Sequence, residues 1–195
     1  MDKADNGSKA LVLRKAVAED APLLRIWDKT QHVIDATGAD AGSDWKWESE
    51  LLRNVGWREF LVGEVAGRAV GFVQIIDARE EETHYWGEVA PGLRAIDIWL
   101  GDAADFGKGY GSAMMRLALV RCFADTSVTA VLTDPLASNT KAHPFYERLG
   151  FRRTGRQLFG EDDCFVYRME RSEWAASECR LPAESSQGSG GCLPN

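Results

Sequence analysis

The segment Asp105-Phe-Gly-Lys-Gly-Tyr-Gly-Ser112 places glycine at three alternate positions, and apolar residues at near-helical spacing follow it over residues 113–123. Glycine tolerates positive φ and lets a ligand approach the backbone closely. The first N–H groups of a helix have no partner within the helix, and the helix dipole favours an anion beside them. The segment therefore predicts either a phosphate-binding turn at a helix N-terminus or a plain tight turn between a strand and a helix.

Two common phosphate-binding motifs do not match this segment. The dinucleotide fingerprint places its glycines in the first strand-to-helix turn, whereas this segment lies past the middle of the chain. The loop of nucleotide hydrolases requires Gly-Lys-Ser/Thr, and here Lys108 is followed by Gly109. If the turn binds phosphate, its ligand is therefore a third kind of phosphate compound, different from the dinucleotides and the hydrolysed nucleotides that those two motifs bind.

Composition and charge narrow the possible partners. The chain has 195 residues, which is typical of a single domain, and 45% of them are hydrophobic. Its formal net charge is −7. This argues against a nucleic-acid partner, which requires a basic face, and suits a small cationic substrate if the acids cluster near the site.

The cysteines and the apolar runs indicate a reduced, cytoplasmic protein. Four cysteines are scattered without C-x-x-C pairing, so neither a metal site nor a disulfide framework is expected. We interpret Cys122 and Cys164 as core residues. No apolar run reaches about 18 residues and no signal pattern opens the chain, so no membrane association is expected.

Hydrophobic periodicity predicts an α/β domain over residues 10–175, between a flexible N-terminus (1–9) and a disordered tail (176–195). A hairpin turn is expected at Ala66–Arg68 and a loop at residues 32–44. The predicted strands are Ala10–Lys15, Phe60–Val65, Ala69–Ile76, Arg94–Gly101, Ser127–Thr133, Phe151–Gln157 and Cys164–Met169. The predicted helices begin at Ala18, Trp45 and Ala113, and a last one follows Ser138 or Asn139 and ends at Arg148.

Two features point to a cation-binding site. Residues 77–91 are irregular and acidic and contain Tyr85, Trp86 and Glu88, which is typical of a solvated loop or of a wall for a cationic ligand. Asp97 lies within an apolar strand and shares one face with Trp99. Burying a carboxylate there is costly unless it is wet or paired, so Asp97 is either a functional residue or part of an ion pair with an arginine.

The pattern Asn139-x-x-Ala142-x-x-x-Tyr146-x-x-x-Gly150-Phe151, downstream of Phe106-Gly-Lys-Gly-Tyr-Gly111, resembles the GCN5-related N-acetyltransferase (GNAT) superfamily. The resemblance implies a mixed central β-sheet flanked by helices, with a V-shaped splay between two parallel strands. Acetyl-CoA is expected in that opening. Phe106 departs from the family, which usually has Gln or Arg there, and this removes one side-chain phosphate donor.

Carried over position by position, the resemblance assigns roles to particular residues. Asn139 is expected to hold the pantetheine arm of CoA, and Tyr146 to protonate the departing thiolate as a catalytic acid. The backbone around Trp99 is expected to polarise the thioester carbonyl. The remaining expected CoA-binding residues are Ile98, Trp99 and Leu100 for pantetheine and Gly107, Lys108, Gly109, Tyr110, Gly111 and Ser112 for the pyrophosphate.

Within the superfamily, Pro91-Gly-x-Arg-x-Ile-Asp97 and Thr133-Asp-Pro135 resemble the aminoglycoside 6′-N-acetyltransferases. This implies Asp97 as catalytic base and Asp134 as a second contact to the drug. Trp99, Tyr85, Trp86 and Glu88 are expected to complete a pocket for the cationic sugar. Transfer to a siderophore precursor, a polyamine or a protein amine remains an alternative, as does a CoA-binding regulatory module. The protein is expected to be a monomer or a homodimer without a metal.

Overall fold

The protein is described by a computed structural model that covers residues 10–38 and 45–178. Within these ranges seven strands form one mixed sheet in the order β1-β2-β3-β4-β5-β7-β6. The strands are β1 (Leu11–Lys15), β2 (Arg58–Val65), β3 (Arg68–Asp77), β4 (Leu93–Leu100), β5 (Ala130–Thr133), β6 (Arg152–Phe159) and β7 (Asp162–Glu170). Every predicted strand is present, with ends shifted by a few residues.

The helices differ more from the prediction. They are α1 (Ala21–Trp27), α2 (Gln31–Thr37), α3 (Trp47–Glu50), α4 (Tyr110–Ala124), α5 (Ala142–Arg148) and α6 (Arg171–Glu178). The loop predicted over residues 32–44 is wrong where α2 forms, and the helix predicted from Trp45 shrinks to α3. The tail predicted from residue 176 is wrong for the end of α6. Predictions for residues 1–9, 39–44 and 179–195, including Cys179 and Cys192, lie outside the described residues.

The predicted hairpin between β2 and β3 is confirmed. Two residues connect the strands, Ala66 with φ 57° and Gly67 with φ 79°. Positive φ at both central positions defines the tight turn whose twist matches that of the flanking strands. The turn places Arg68, the first residue of β3, beside the segment that follows β4.

The sheet opens between β4 and β5, which are its parallel pair among the described strands. Their pairing is confined to Leu93–Ala95 opposite Ala130–Leu132. Beyond Ala95, β4 continues to Leu100 and remains paired with β3. The two strands therefore diverge towards their carboxyl ends, as the V-shaped splay requires.

The two faces of the sheet carry different parts of the core. On one face Ile96 and the α4 residues Met114 and Leu119 belong to the largest buried cluster. On the other, Phe72 and Trp47 pack together near α1 and α3, and Trp99 packs against this cluster. Cys122 and Cys164 are buried, as predicted. None of the helices in the described ranges has the length and apolar character that a membrane crossing requires.

The close packing of β3 against β4 and α4 predicts that Gly71→Ala destabilises the fold. A Cβ at Gly71 would lie 2.5 Å from the Trp99 carbonyl oxygen and 2.8 Å from Met114 Cε. Because the nearest atom is backbone, the strand must shift, and we expect a loss of about 1–3 kcal/mol in the free energy of unfolding. Urea denaturation measures it. Gly56→Ala, where a Cβ meets no described atom within 4 Å, is the control and should lose nothing.

Candidate active site

The glycine segment forms an open turn at the N-terminus of α4. Gly107 and Gly109 have φ of 74° and 83°, and a Cβ at either would meet no atom of the described residues within 4 Å. The first helical hydrogen bond runs from the Ala113 N–H to the Gly109 carbonyl. The N–H groups of residues 110–112 precede it and need another acceptor. This geometry fits a phosphate group.

The charged side chains around this turn form a compact cluster. Arg68 donates to both carboxylate oxygens of Asp105, at 2.7 and 2.9 Å, and Lys108 donates to the same carboxylate at 3.0 Å. Arg68 and then Lys108 lower the pKa of the Asp105 carboxyl to about 2, against the opposing effect of its burial. The sequence did not indicate Arg68, which lies 37 residues before Asp105.

The edge of β4 presents alternate peptide groups to the opening. The Gly101 N–H donates to the Val70 carbonyl, so the peptide groups of Trp99 point towards β3 and those of Ile98 and Leu100 point away from it. The sequence predicted a carbonyl-polarising N–H around Trp99, and in the register of β4 with β3 the N–H groups that point away from β3 are those of its neighbours Ile98 and Leu100. His32 in α2, within the loop that the sequence predicted, lies with Nε2 2.7 Å from the Leu100 carbonyl oxygen.

Asp97 lies on the same face of β4 as Trp99, as its alternation predicted. It is opposite Gln74 of β3, and Trp99 is opposite Phe72, with ring centroids 4.6 Å apart. The indole Nε1 of Trp99 is buried and has no hydrogen-bond partner among the described residues. A buried donor of this kind is costly unless a ligand accepts its hydrogen.

Asp134 is held at the end of β5 by Tyr85 of the irregular loop. The Tyr85 hydroxyl donates to Asp134 Oδ2 at 2.6 Å, and its ring stacks on Phe159 at 4.5 Å. Burial raises the pKa of the Asp134 carboxyl, although the Tyr85 hydrogen bond works in the opposite direction. The structure thus joins two residues that the sequence predicted for one pocket, and adds Phe159 from the β6–β7 hairpin.

Tyr146 of α5 lies near both carboxylates. Burial raises the pKa of the Tyr85 and Tyr146 hydroxyls, and the charges of Asp97 and Asp134 raise both further. A hydrogen bond with the Thr133 side chain partly offsets the rise at Tyr146. Tyr146 therefore keeps its proton throughout the neutral pH range and can donate it.

Asn139 lies at the N-terminal end of α5. Its side-chain oxygen accepts the Ala142 N–H at 3.3 Å, which satisfies one unpaired donor of the helix start. Pro144 follows in the first turn, where its missing N–H is tolerated. The predicted cap at Ser138 or Asn139 is therefore wrong in position, because Lys141 directly precedes the helix and Asn139 acts from the turn before it. The Asn139 amide NH₂ group can still donate to a ligand.

The acidic loop is less available to a ligand than its composition indicates. Glu81 is buried and accepts the Thr83 and Tyr85 N–H groups, and Glu82 pairs with Arg53. Trp86 is buried edge-on to Phe159, with 5.1 Å between ring centroids. It therefore packs beneath the Tyr85–Phe159 stack and is not exposed to a ligand. Glu88, by contrast, is exposed.

Fold and site together define an acyltransferase of the GNAT class. Residues 16–158 match the acetyltransferase (GNAT) domain family, and the chain belongs to that family. Its seven-stranded mixed sheet opens between β4 and β5, and the glycine turn lies at the start of α4.

Named relatives narrow the comparison. The chain is 30% identical over 156 residues to the aminoglycoside N(6′)-acetyltransferase type 1 of Klebsiella pneumoniae, covering 77% of this chain and 78% of that one. It is 41% identical over 76 residues to a kanamycin resistance protein of Rhizobium radiobacter, covering 38% and 70%. The structure of AAC(6′)-Ib in complex with ribostamycin and coenzyme A matches with a TM-score of 0.78 and 25% identity over 90% of this chain and 99% of that one.

The raised pKa of Asp134 predicts that Asp134→Asn stabilises the protein at neutral pH. The folded state holds this proton to higher pH than the unfolded chain, so the wild type loses stability as pH rises between the two pKa values. Asparagine removes that loss. Urea denaturation at neutral pH should show a gain in the free energy of unfolding, which shrinks at acidic pH.

Asp163→Asn is the control. Because Arg156 lowers the pKa of Asp163, the ionised carboxylate stabilises the folded state, and the effect of the substitution on stability has the opposite sign. That variant should lose stability at neutral pH and match the wild type in acid. A loss at neutral pH in Asp134→Asn would contradict a buried, disfavoured carboxylate.

Proposed function

We propose that the protein transfers an acetyl group from acetyl-CoA to the 6′-amino group of an aminoglycoside, and so confers resistance to it. The observation that carries the proposal is the opening between β4 and β5, where Asp97, Asp134 and Tyr146 interact electrostatically. The named relatives support the same reaction. Acetyl-CoA is a cytoplasmic metabolite, so the reaction is assigned to the cytoplasm.

The residues around the opening fit CoA, which supplies the acetyl group as a thioester. The N–H groups at the start of α4 would bind the pyrophosphate, with Gly107 and Gly109 leaving room for it. Ile98 and Leu100 would pair with the pantetheine arm as an added strand lies along a sheet edge. The Asn139 amide would donate to the same arm.

Asp97 would act as the catalytic base. A primary amine with a pKa of about 10.4 arrives protonated and cannot attack until it loses its proton. The Asp97 carboxylate would bind this ammonium group and accept the proton, directly or through a water. The N–H groups of Ile98 and Leu100 that face the opening would stabilise negative charge developing on the carbonyl oxygen.

Tyr146 would protonate the leaving thiolate. Its hydroxyl is protonated at neutral pH and would donate a hydrogen bond to the sulfur, with the proton following as negative charge develops there; burial and the nearby carboxylates raise its pKa, so it ionises only as the thiolate takes the proton. A proton donor at this position makes CoA a better leaving group.

A polycationic sugar would be recognised by charge and by aromatic surface. Asp134 would bind a second amino group, with Tyr85 fixing the carboxylate, and Glu88 would add charge from the exposed loop. Trp99 would donate its unpartnered indole N–H to a hydroxyl or ether oxygen of the sugar. Trp86 would support this wall rather than contact the ligand.

The substrate class is tested by measuring thiol release from acetyl-CoA with kanamycin-, tobramycin- and gentamicin-type amines beside lysine and spermidine. Turnover should be confined to the aminoglycosides, with mass spectrometry and NMR placing the acetyl group on the 6′-nitrogen. Turnover with lysine or spermidine alone would replace the aminoglycoside by a simpler amine.

Asp97→Asn should lower kcat by about a hundredfold or more, as loss of a general base typically does. The fall should be partly recovered at high pH, where more of the amine is already deprotonated. Steady-state kinetics from neutral to alkaline pH measure both effects. Asp35→Asn, an exposed carboxylate on α2, is the matched control and should leave kcat unchanged.

Tyr146→Phe should lower kcat by about a hundredfold with little change in the KM for either substrate, because only proton donation to the thiolate is lost. The hydroxyl has one identified protein partner, the Thr133 side chain. Thermal unfolding of the variant should stay close to that of the wild type. An undiminished kcat would remove Tyr146 from the chemistry.

A further inference from the structure

The phosphate-binding turn is tied to β3 by a buried carboxylate. Asp105 lies directly before the glycine segment and is 2% exposed. Its two oxygens accept the paired N–H groups of Arg68, a bidentate geometry that fixes the guanidinium and the carboxylate relative to one another. Lys108, inside the segment, binds the same carboxylate.

Arg68 contacts residues at both ends of the glycine turn. Besides Asp105 at the start, it interacts with the hydroxyl of Tyr110, the first residue of α4. Between these contacts lie Gly107 and Gly109 in positive-φ conformations, which few residues adopt and which surrounding contacts must hold in place.

The cluster supplies the charge that the side chain inside the turn lacks. Phe106 is uncharged, and its ring lies edge-on to His32, 4.9 Å between centroids. Arg68 and Lys108 share one carboxylate, which leaves one net positive charge beside the turn.

We propose that the Arg68–Asp105 pair is a strut that positions residues 106–112 for CoA, so that Arg68 and Asp105 are positioning residues for CoA binding. The inference rests on the proposed function only in taking CoA as the ligand. The N–H groups at the start of α4 bind phosphate well only when their directions are set before the ligand arrives. The strut sets them from β3, an element that carries no other part of the CoA site.

Charge and positioning make opposite predictions for Asp105→Asn. This variant raises the net positive charge beside the turn, so attraction alone would tighten CoA binding. Loss of the strut would weaken it. Arg68→Ala lowers the charge and removes the strut, so it weakens binding in either case.

The experiment measures the dissociation constant of CoA by calorimetry and the amide hydrogen exchange of residues 106–112 in the ligand-free protein. Both Arg68→Ala and Asp105→Asn should raise the dissociation constant by about tenfold and speed exchange in the turn, since a loosened turn must be ordered on binding. Arg68→Lys, which keeps the charge and loses the paired N–H groups, should fall between Arg68→Ala and the wild type. Arg68 is more than half exposed, so both Arg68 variants should fold.

Arg14→Ala is the matched control. Arg14 lies in β1, at one edge of the sheet. It donates to both carboxylate oxygens of the buried Asp20, at 2.7 and 2.7 Å, with the same paired geometry. It should lose stability without losing CoA affinity. Unchanged or tighter CoA binding in Asp105→Asn would overturn the strut. CoA binding is measured without an amine, so absence of aminoglycoside turnover would count against the proposed function alone.

Discussion

The separation of β4 from β5 is the constraint on which the rest of the structure depends. Hydrogen bonding between them ends at Ala95 and Leu132, while β4 continues alongside β3 to Leu100. The N–H groups of Ile98 and Leu100 therefore face an opening instead of a neighbouring strand, while the Leu100 carbonyl oxygen already lies 2.7 Å from His32 Nε2. Backbone groups in a buried sheet are nearly always paired, so this edge is suited to a ligand that supplies the missing partners. At the start of α4, the open glycine turn offers N–H groups whose geometry fits a phosphate.

The opposite ends of the site have opposite charge. At the turn before α4, two cations share the Asp105 carboxylate, which suits an anionic phosphate. Around the ends of β4 and β5, the negative charges of Asp97 and Asp134 act on the hydroxyls of Tyr85 and Tyr146, which suits a cation. Much of the acidic composition lies elsewhere in ion pairs, such as Glu82 with Arg53. The negative charge at this end of the site therefore comes from a few carboxylates rather than from the net charge of the chain.

The site also holds groups that the fold does not fully satisfy. Burial raises the pKa of Asp134, and the indole N–H of Trp99 has no partner among the described residues. Both arrangements cost stability in the ligand-free protein, which is usual where surrounding structure holds residues ready for a ligand. A cationic sugar with hydroxyl groups would satisfy both, because it offers an ammonium to the carboxylate and an oxygen to the indole.

Local patterns in the sequence determined the strands, the glycine turn, and the shared face of Asp97 and Trp99, because each depends on residues close together along the chain. The tertiary structure alone decided the formation of α2, the short α3, the position of Phe159 beside Tyr85, and the pairing of Arg68 with Asp105. The two residue pairs join positions far apart in sequence, and the extent of the two helices depends on their packing. Hydrophobic periodicity along the chain predicts neither. Which peptide groups of β4 face the opening likewise depends on its register with β3, which alternation of side chains does not reveal.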